Sequence, residues 1–138
     1  MNDPRKELIK YRIQKAKDCV IEVEALINVK KFSGAINRIY YSAFYIANAL
    51  GLCDDFSTSK HGQLIGYFNR NYVKSGIIDQ EIGKFFNISF ELRKKGDYGD
   101  FVEFKEKEVI EYLKIVKIFI NEVEKIIQQK IGDTDSDN

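Results

Sequence analysis

The amino-acid sequence predicts an all-α protein, an antiparallel up-down bundle of four main helices plus a short helix. Two observations predict this class. Apolar residues recur at steps of three and four over long stretches, which places them on one face of a helix. Glycines and capping residues separate these stretches, and no stretch shows strand-like alternation or a hairpin dipeptide between apolar runs. Such amphipathic helices bury their apolar faces by packing together as a bundle.

The first two helices have clear start signals. Pro4 favours a first helical turn, and Asp3 before it is a predicted N-cap. The apolar stripe of this helix consists of Ile9, Ile13, Ala16, Val20, Val23 and Ile27. KKFSG then interrupts the pattern, and Ser33 is the predicted N-cap of a second helix that ends before Gly51 as its C′ residue. Its apolar face consists of Ile36, Ile39, Tyr40, Ala43, Ala47 and Leu50.

Three further helices follow. Ser57 or Ser59 is expected to cap a short helix, and Asp79 to cap a fourth helix that ends at Gly96 before the glycine-punctuated turn GDYGD. The last helix has the most regular spacing and is predicted to end at Gly132. Its apolar positions are Val109, Leu113, Val116, Ile120, Val123 and Ile127. The long first and last helices are expected to pack antiparallel.

Composition limits the function classes. The 138 residues fit one domain, predicted at 1–132 and followed by a disordered acidic tail at 133–138. Hydrophobic residues make up 44% and charged residues 31%, which is enough for a packed core. The formal net charge is +1, so this is not a strongly basic nucleic-acid binder, and any contact with RNA would depend on a local patch.

The cysteines and the apolar runs give three further expectations. Cys19 and Cys53 form no CxxC pair, and the single histidine cannot complete a zinc set with them, so we expect no metal site and no cofactor. A reduced, cytoplasmic setting is the simplest expectation. The first residues lack the apolar segment of a signal peptide. No apolar run approaches the length of a membrane span, so no membrane span is expected.

The segment NRIYY in the second helix is the first candidate site. Asn37 and Tyr41 are four residues apart and share a helix face, with Arg38 beside them and Tyr45 one turn further on. This pattern has two interpretations. It is either the edge of the core with an arginine reaching outward, or a binding surface whose tyrosine hydroxyls need partners.

The only histidine is the second candidate. His61 follows Lys60 near a predicted helix start. A histidine there can act as a general base or contact a phosphate, because its ordinary pKa is near neutral. The alternative interpretation is a histidine that caps the helix or makes a buried hydrogen bond.

The segment ELRKKGDYGD is the third candidate. Arg93, Lys94 and Lys95 are predicted near the end of the fourth helix, where cations are favoured by the helix dipole. The functional interpretation starts from Asp97 and Tyr98, which follow within five residues of Arg93. Arginine binds phosphate through two parallel hydrogen bonds, and tyrosine can stack on a base or transfer a proton. Sequence physics leaves both interpretations open.

Taken together, AINRIYYSAFYIANAL, SKHGQLIGYFNRNYVKSGIID and FELRKKGDYGDF resemble the HEPN (higher eukaryotes and prokaryotes nucleotide-binding) domain superfamily. The resemblance is to its small prokaryotic branch, over about residues 5–128. It implies a helical bundle and a homodimer whose polar motifs meet at a shared cleft. Many HEPN proteins are metal-independent endoribonucleases, and prokaryotic members often pair with a small nucleotidyltransferase as toxin and antitoxin.

The resemblance also implies roles for single residues. Arg93 matches the motif arginine, but the histidine expected after a gap of four to six residues is absent, and Asp97 and Tyr98 stand where it would be sought. An unperturbed Asp (about 3.9) or Tyr (about 10) is a poor acid or base at neutral pH. Either Tyr98, Asp97 or His61 therefore takes the catalytic role, or the domain binds without cleaving.

Three hypotheses follow from these residues. The first is a toxin-like protein that acts on RNA, in which Arg93 stabilises the phosphate. Its expected binding residues are Asn37, Arg38, Tyr41, Lys60, Lys94 and Lys95. The second is a non-catalytic module that binds nucleotide or docks a nucleotidyltransferase. The third is a helical partner in which the polar residues serve only the dimer.

Overall fold

The computed structural model describes residues 3–136, with the backbone alone for 133–136. All regular elements of this part are helical, which confirms the all-α class. The helices are α1 (Pro4–Asn28), α2 (Phe32–Cys53), α3 (His61–Phe68), α4 (Gln80–Gly83), α5 (Phe85–Tyr98) and α6 (Glu106–Ser136), and a π-helical turn at Asn69–Val73 extends α3. Within the described residues, no helix combines the length and apolar composition that a membrane crossing requires.

Helices α1 and α6 are antiparallel, as predicted. Lys17 of α1 pairs with Glu124 of α6 at 3.1 Å, and Glu24, two turns further along α1, pairs with Lys117 at 3.7 Å. Residue numbers therefore rise along one helix while they fall along the other. These bridges are partly exposed, so they indicate the register more than they contribute to stability.

Helix α2 is the central element, because it packs against α1, α5 and α6. Tyr40 on α2 is fully buried and lies 6.1 Å from Phe86 of α5, ring centroid to ring centroid. Phe86 in turn lies 6.0 Å from Phe119 of α6, and Phe119 lies 5.4 Å from Phe68 of α3. An aromatic core thus joins α2, α3, α5 and α6, and offset ring pairs of this kind add to the energy of burial.

Several predicted features are confirmed. Asp3 caps α1 by accepting the backbone N–H of Arg5, and Asp79 caps α4 by accepting those of Glu81 and Ile82. The predicted stripe of α6 is buried along its whole length. In α1 the stripe is buried except for Val20 and Ile27, which pack half-buried against the core.

The predicted serine caps are wrong. Helix α2 begins at Phe32 with Lys31 as its N-cap, so Ser33 lies inside the first turn. Lys60 is the N-cap of α3, where neither Ser57 nor Ser59 caps the helix. Instead, the hydroxyl of Thr58 accepts the Lys60 N–H at 3.1 Å and donates to the Gln63 side chain at 2.8 Å.

The helix ends predicted at glycines are also wrong. Gly51 lies inside α2, where a Cβ would lie 2.8 Å from the carbonyl oxygen of Phe56. Gly96 lies inside α5, where a Cβ would lie 3.1 Å from the Phe104 ring. Both glycines allow close approach of a neighbour and do not end a helix.

Two further boundaries differ from the prediction. Lys84 separates α4 from α5, so the predicted fourth helix is two helices, and α6 continues beyond Gly132 to Ser136. The predicted domain limit at 132 stays a prediction, and residues 137 and 138 of the predicted tail lie outside the described residues.

The close approach at Gly51 gives a testable contrast with Gly132, which has no neighbour within 4 Å. Alanine is favoured over glycine in a helix by about 1 kcal/mol, but overpacking costs about 1–3 kcal/mol. We expect Gly51→Ala to lower the free energy of unfolding by about 1–2 kcal/mol and Gly132→Ala to leave it unchanged or raise it slightly. Urea denaturation followed by circular dichroism measures both. Equal effects of the two substitutions would contradict the packing described at Gly51.

Candidate functional site

The structure brings three polar side chains together beside the aromatic core, one each from α2, α5 and the start of α3. The hydroxyl of Tyr40 shares a hydrogen bond with Nδ1 of His61, and the two rings are stacked with centroids 5.5 Å apart. The guanidinium carbon of Arg93 lies 5.1 Å from the centroid of the Tyr40 ring. We call these residues the Tyr40–His61–Arg93 cluster. It joins residues 53 positions apart in the chain at one point of the bundle.

Aromatic rings surround this cluster. His61 lies 4.8 Å from Phe44 and 6.0 Å from both Tyr41 and Phe90, centroid to centroid. The guanidinium of Arg93 lies 5.7 Å from the Tyr41 ring and 5.6 Å from the Phe90 ring. A cation over ring faces is stabilised by their negative potential. Electrostatic interactions are also stronger where rings exclude water.

Arg93 is a largely buried cation with few partners. Its side chain is only 13% exposed, and its Nη1 lies 3.5 Å from Oδ2 of Asp97, its one ion-pair partner among the described residues. Its Nε–H is buried and donates a hydrogen bond to no acceptor among the described residues. Arginine remains charged in such surroundings. The cluster therefore holds a fixed positive charge, and Asp97 is its counter-ion.

His61 is held in its neutral form. Burial lowers its pKa, and the positive charge of Arg93 lowers it further. Burial also raises the pKa of Tyr40, so its hydroxyl stays protonated at neutral pH. That hydroxyl can donate a hydrogen bond to Nδ1 or accept one from Nδ1–H, so both tautomers of the neutral ring keep this hydrogen bond. A neutral imidazole next to a fixed cation can accept a proton from a bound group.

The predicted face of α2 adjoins the cluster. Arg38 donates to Oδ1 of Asn37 through Nε at 3.2 Å and Nη2 at 2.8 Å, and its guanidinium lies 4.9 Å from the Tyr41 ring. Asn37 donates to Asp97 at 3.4 Å. Asn37, Arg38, Tyr41, Asp97 and Arg93 therefore form one continuous polar surface.

The other predicted site residues lie apart from the cluster. Lys60 is exposed immediately before His61. Lys94 lies 3.8 Å from Glu91 and 5.0 Å from the Phe90 ring, on the outer side of α5, and Lys95 is exposed in the last turn. Tyr98 is 78% exposed and contacts no ring among the described residues. The predicted roles of these four residues, like those of the other predicted site residues, stay predictions.

A second polar network fixes the segment that leads to His61. Asp54, directly after α2, accepts hydrogen bonds from the hydroxyls of Tyr67 and Tyr72 and lies 3.0 Å from Nζ of Lys130. Burial alone would raise the pKa of Asp54, but these hydrogen bonds and the lysine charge hold it below its ordinary value. Phe56 stacks on Tyr67 with centroids 4.2 Å apart. The start of the loop at 54–60 is thus attached to α3 through Tyr67.

Tyr40 was predicted as a residue of the apolar face of the second helix and not as a candidate site residue. Its ring is indeed buried, but its hydroxyl is the group that contacts His61. The available signal was a tyrosine at a buried position, because a buried hydroxyl needs a hydrogen-bonding partner. Spacing along the chain could not identify that partner.

The fold and the site together define an all-helical protein with an arginine and a histidine held against one buried tyrosine of its central helix. Comparison with known families names this class. The HEPN domain model matches residues 9–126, so this chain belongs to the HEPN domain family.

Relatives match over nearly the whole chain. A UPF0332 protein of Thermotoga maritima is 40% identical over 128 residues, which is 93% of this chain and 96% of that protein. A Methanocaldococcus jannaschii protein named "Putative toxin MJ0142" is 31% identical, covering 97% of this chain and 91% of its own length. A second protein of that organism with a toxin name is 28% identical, covering 94% and 96%.

The position of Arg93 predicts a pKa change at His61. We expect Arg93→Gln to raise the pKa of His61 because a repelling charge is removed, yet to leave it below 6.5 because burial remains. Since the chain has one histidine, NMR titration of its ring protons in tag-free protein gives a single curve. Lys94→Gln, one residue along α5, is the matched control. A rise of equal size in the control would contradict the assigned cause.

Stability should depend on pH with a defined sign. Because the pKa of His61 is depressed in the folded state, the unfolded chain binds this proton more readily. The contribution of His61 to the free energy of unfolding is therefore fully present above its pKa in the unfolded chain. This contribution is lost as the pH falls through its pKa in the folded protein. Urea denaturation at several pH values should show this loss in the parent protein and a smaller loss in His61→Gln.

Proposed function

We propose that this chain is a toxin-like HEPN protein that cleaves RNA without a metal ion, with the Tyr40–His61–Arg93 cluster as its active site. The observation that carries the proposal is the proximity of His61 to Arg93 around one tyrosine ring. Two relatives with toxin names, aligned over nearly the whole chain, support the toxin-like character.

In this proposal, His61 takes the role of the absent motif histidine. Asp97 and Tyr98 follow Arg93 where that histidine is expected, but Asp97 serves Arg93 as a counter-ion and Tyr98 is mostly exposed. His61 reaches the same arginine from α3. Its depressed pKa makes the neutral, proton-accepting form available at neutral pH. This favours His61 over Asp97 and Tyr98 for the catalytic role.

In the proposed reaction, neutral His61 takes the proton from a ribose 2′-hydroxyl, and the 2′-oxygen attacks the adjacent phosphorus. The bond from phosphorus to the 5′-oxygen breaks. The products are a 2′,3′-cyclic phosphate and a 5′-hydroxyl, which receives its proton from water while His61 returns its own to solvent. Arg93 faces the phosphate oxygens, whose negative charge grows in the transition state.

The surface next to the cluster would hold the nucleotide. The guanidinium of Arg38 is fixed by Asn37 and lies over the Tyr41 ring, which leaves a cation and an aromatic face beside Arg93. Arg38 would contact a neighbouring phosphate and Tyr41 a base. Lys60, Lys94 and Lys95 are exposed and lie within two residues of His61 or Arg93 in the chain, so they would contribute through longer-range attraction.

Two finer parts of the proposal concern partners. We infer a homodimer that brings two clusters to a shared cleft, and a nucleotidyltransferase antitoxin as the second component, in the cytoplasm. Co-expression with a nucleotidyltransferase encoded beside this gene tests the pairing. Joint elution on size exclusion and relief of growth arrest would support it, whereas separate elution with unrelieved arrest would contradict it.

Cleavage itself is tested with purified protein, a mixed RNA pool and EDTA. We expect cutting that leaves cyclic phosphate ends. It should fall by about 10²–10³-fold in Arg93→Ala and by about 10²-fold or more in His61→Ala, because these substitutions remove the charge and the base. Arg70→Ala, at an exposed arginine of the π-helical turn, is the matched control and should retain activity.

Three outcomes separate the hypotheses. Cutting that survives His61→Ala would overturn the assignment of the base. Retained binding of RNA or nucleotide without any cutting would indicate the non-catalytic module. No cutting and no binding, with Arg93→Ala changing only the melting temperature, would leave a structural helical partner.

A further inference from the structure

We propose that a row of side chains on α1 and α2 binds single-stranded RNA that extends away from the Tyr40–His61–Arg93 cluster. We call Tyr11, Lys15, Tyr45 and Tyr41 the α1–α2 track. The inference rests on the proposed function for its substrate, but it concerns residues that the catalytic proposal does not use, apart from Tyr41 at its inner end.

The track is continuous in space. The Nζ of Lys15 lies 5.6 Å from the centroid of the Tyr11 ring and 5.0 Å from that of Tyr45. Tyr45 lies 6.1 Å from Tyr41, and Tyr41 lies 5.7 Å from the guanidinium carbon of Arg93. A ring, a cation and two further rings thus lead from α1 to the cluster without interruption.

Helix geometry explains the row. Tyr11 and Lys15 are four residues apart on α1, and Tyr41 and Tyr45 are four apart on α2, so each pair occupies one face across about 6 Å of helix. The two helices are neighbours, and Lys15 bridges them by lying over a ring from each. Tyr11 is 57% exposed, and Tyr41 and Tyr45 are half-buried, so solvent reaches the row.

The chemistry of the row fits single-stranded RNA. Bases have planar faces that stack on tyrosine rings regardless of sequence, and a lysine between the rings meets the backbone phosphates. Carboxylates also lie nearby. Burial raises the pKa of Cys19, the charges of Glu22 and Asp18 raise it further, and those of Arg38 and Lys15 lower it, so charges of both signs lie close to this part of α1. Affinity should therefore come mainly from stacking, with a weak dependence on salt.

The test uses a 2′-O-methyl hexanucleotide, which cannot be cleaved because its 2′-oxygen carries no proton. Fluorescence anisotropy should show about tenfold weaker binding in Tyr45→Leu, which keeps apolar bulk without a ring, and a smaller loss in Lys15→Gln. The matched control is Lys10→Gln, at an exposed lysine of α1 that faces Glu7 at 4.0 Å, and it should bind like the parent. A 2′-O-methyl dinucleotide, too short to follow the row, should bind all four proteins about equally.

The outcomes distinguish this inference from the proposed function. If the parent protein cleaves no RNA but the hexanucleotide loss appears, the track stands and the proposed nuclease fails. If the parent cleaves RNA but the hexanucleotide binds all variants alike, the track is overturned. It is also overturned if light scattering after size exclusion shows that Tyr45→Leu or Lys15→Gln separates a dimer, because the row would then be an interface between copies.

Discussion

The aromatic core and the Tyr40–His61–Arg93 cluster depend on one constraint, which is the hydrogen bond required by the buried hydroxyl of Tyr40. Its ring packs against Phe86 in the core, so the side chain cannot turn outward to reach water. A buried hydroxyl without a partner costs free energy, and Nδ1 of His61 is the partner. The hydrogen bond that this buried hydroxyl requires therefore fixes the position of His61, and Arg93 lies over the same Tyr40 ring. The Tyr40 side chain therefore contributes both to the packing of the bundle and to the geometry of the candidate site.

The electrostatics follow from this placement. His61 stays neutral at neutral pH because burial lowers its pKa and the nearby guanidinium of Arg93, itself largely buried among rings, lowers it further. The extension of α5 through Gly96 also matters, because it puts Asp97 one helical turn after Arg93. If the helix ended at Gly96, this carboxylate would not be held by helical spacing. A boundary that sequence analysis misplaced is thus part of the site.

Much of the fold could be predicted from the sequence, because regular apolar spacing and aspartate caps act through local physics. Glycine was ambiguous: Gly51 and Gly96 permit the close approach of Phe56 and Phe104 from the loops that follow their helices, and helical spacing does not reveal how those loops fold back. Arg93 and His61 were both chosen from the sequence as candidate residues, and their catalytic roles stay predictions. Their proximity could not be predicted, because it depends on the buried ring of Tyr40, a residue that spacing assigned to the core.

In the proposed active site, Arg93 and His61 face one phosphate. The most direct measurement is the NMR pKa of His61 with and without a saturating 2′-O-methyl dinucleotide. A phosphate between the two side chains would offset the charge of Arg93 and stabilise the imidazolium, so the pKa of His61 should rise on binding. If the dinucleotide binds and the pKa stays unchanged or falls, the phosphate lies elsewhere and the account is contradicted.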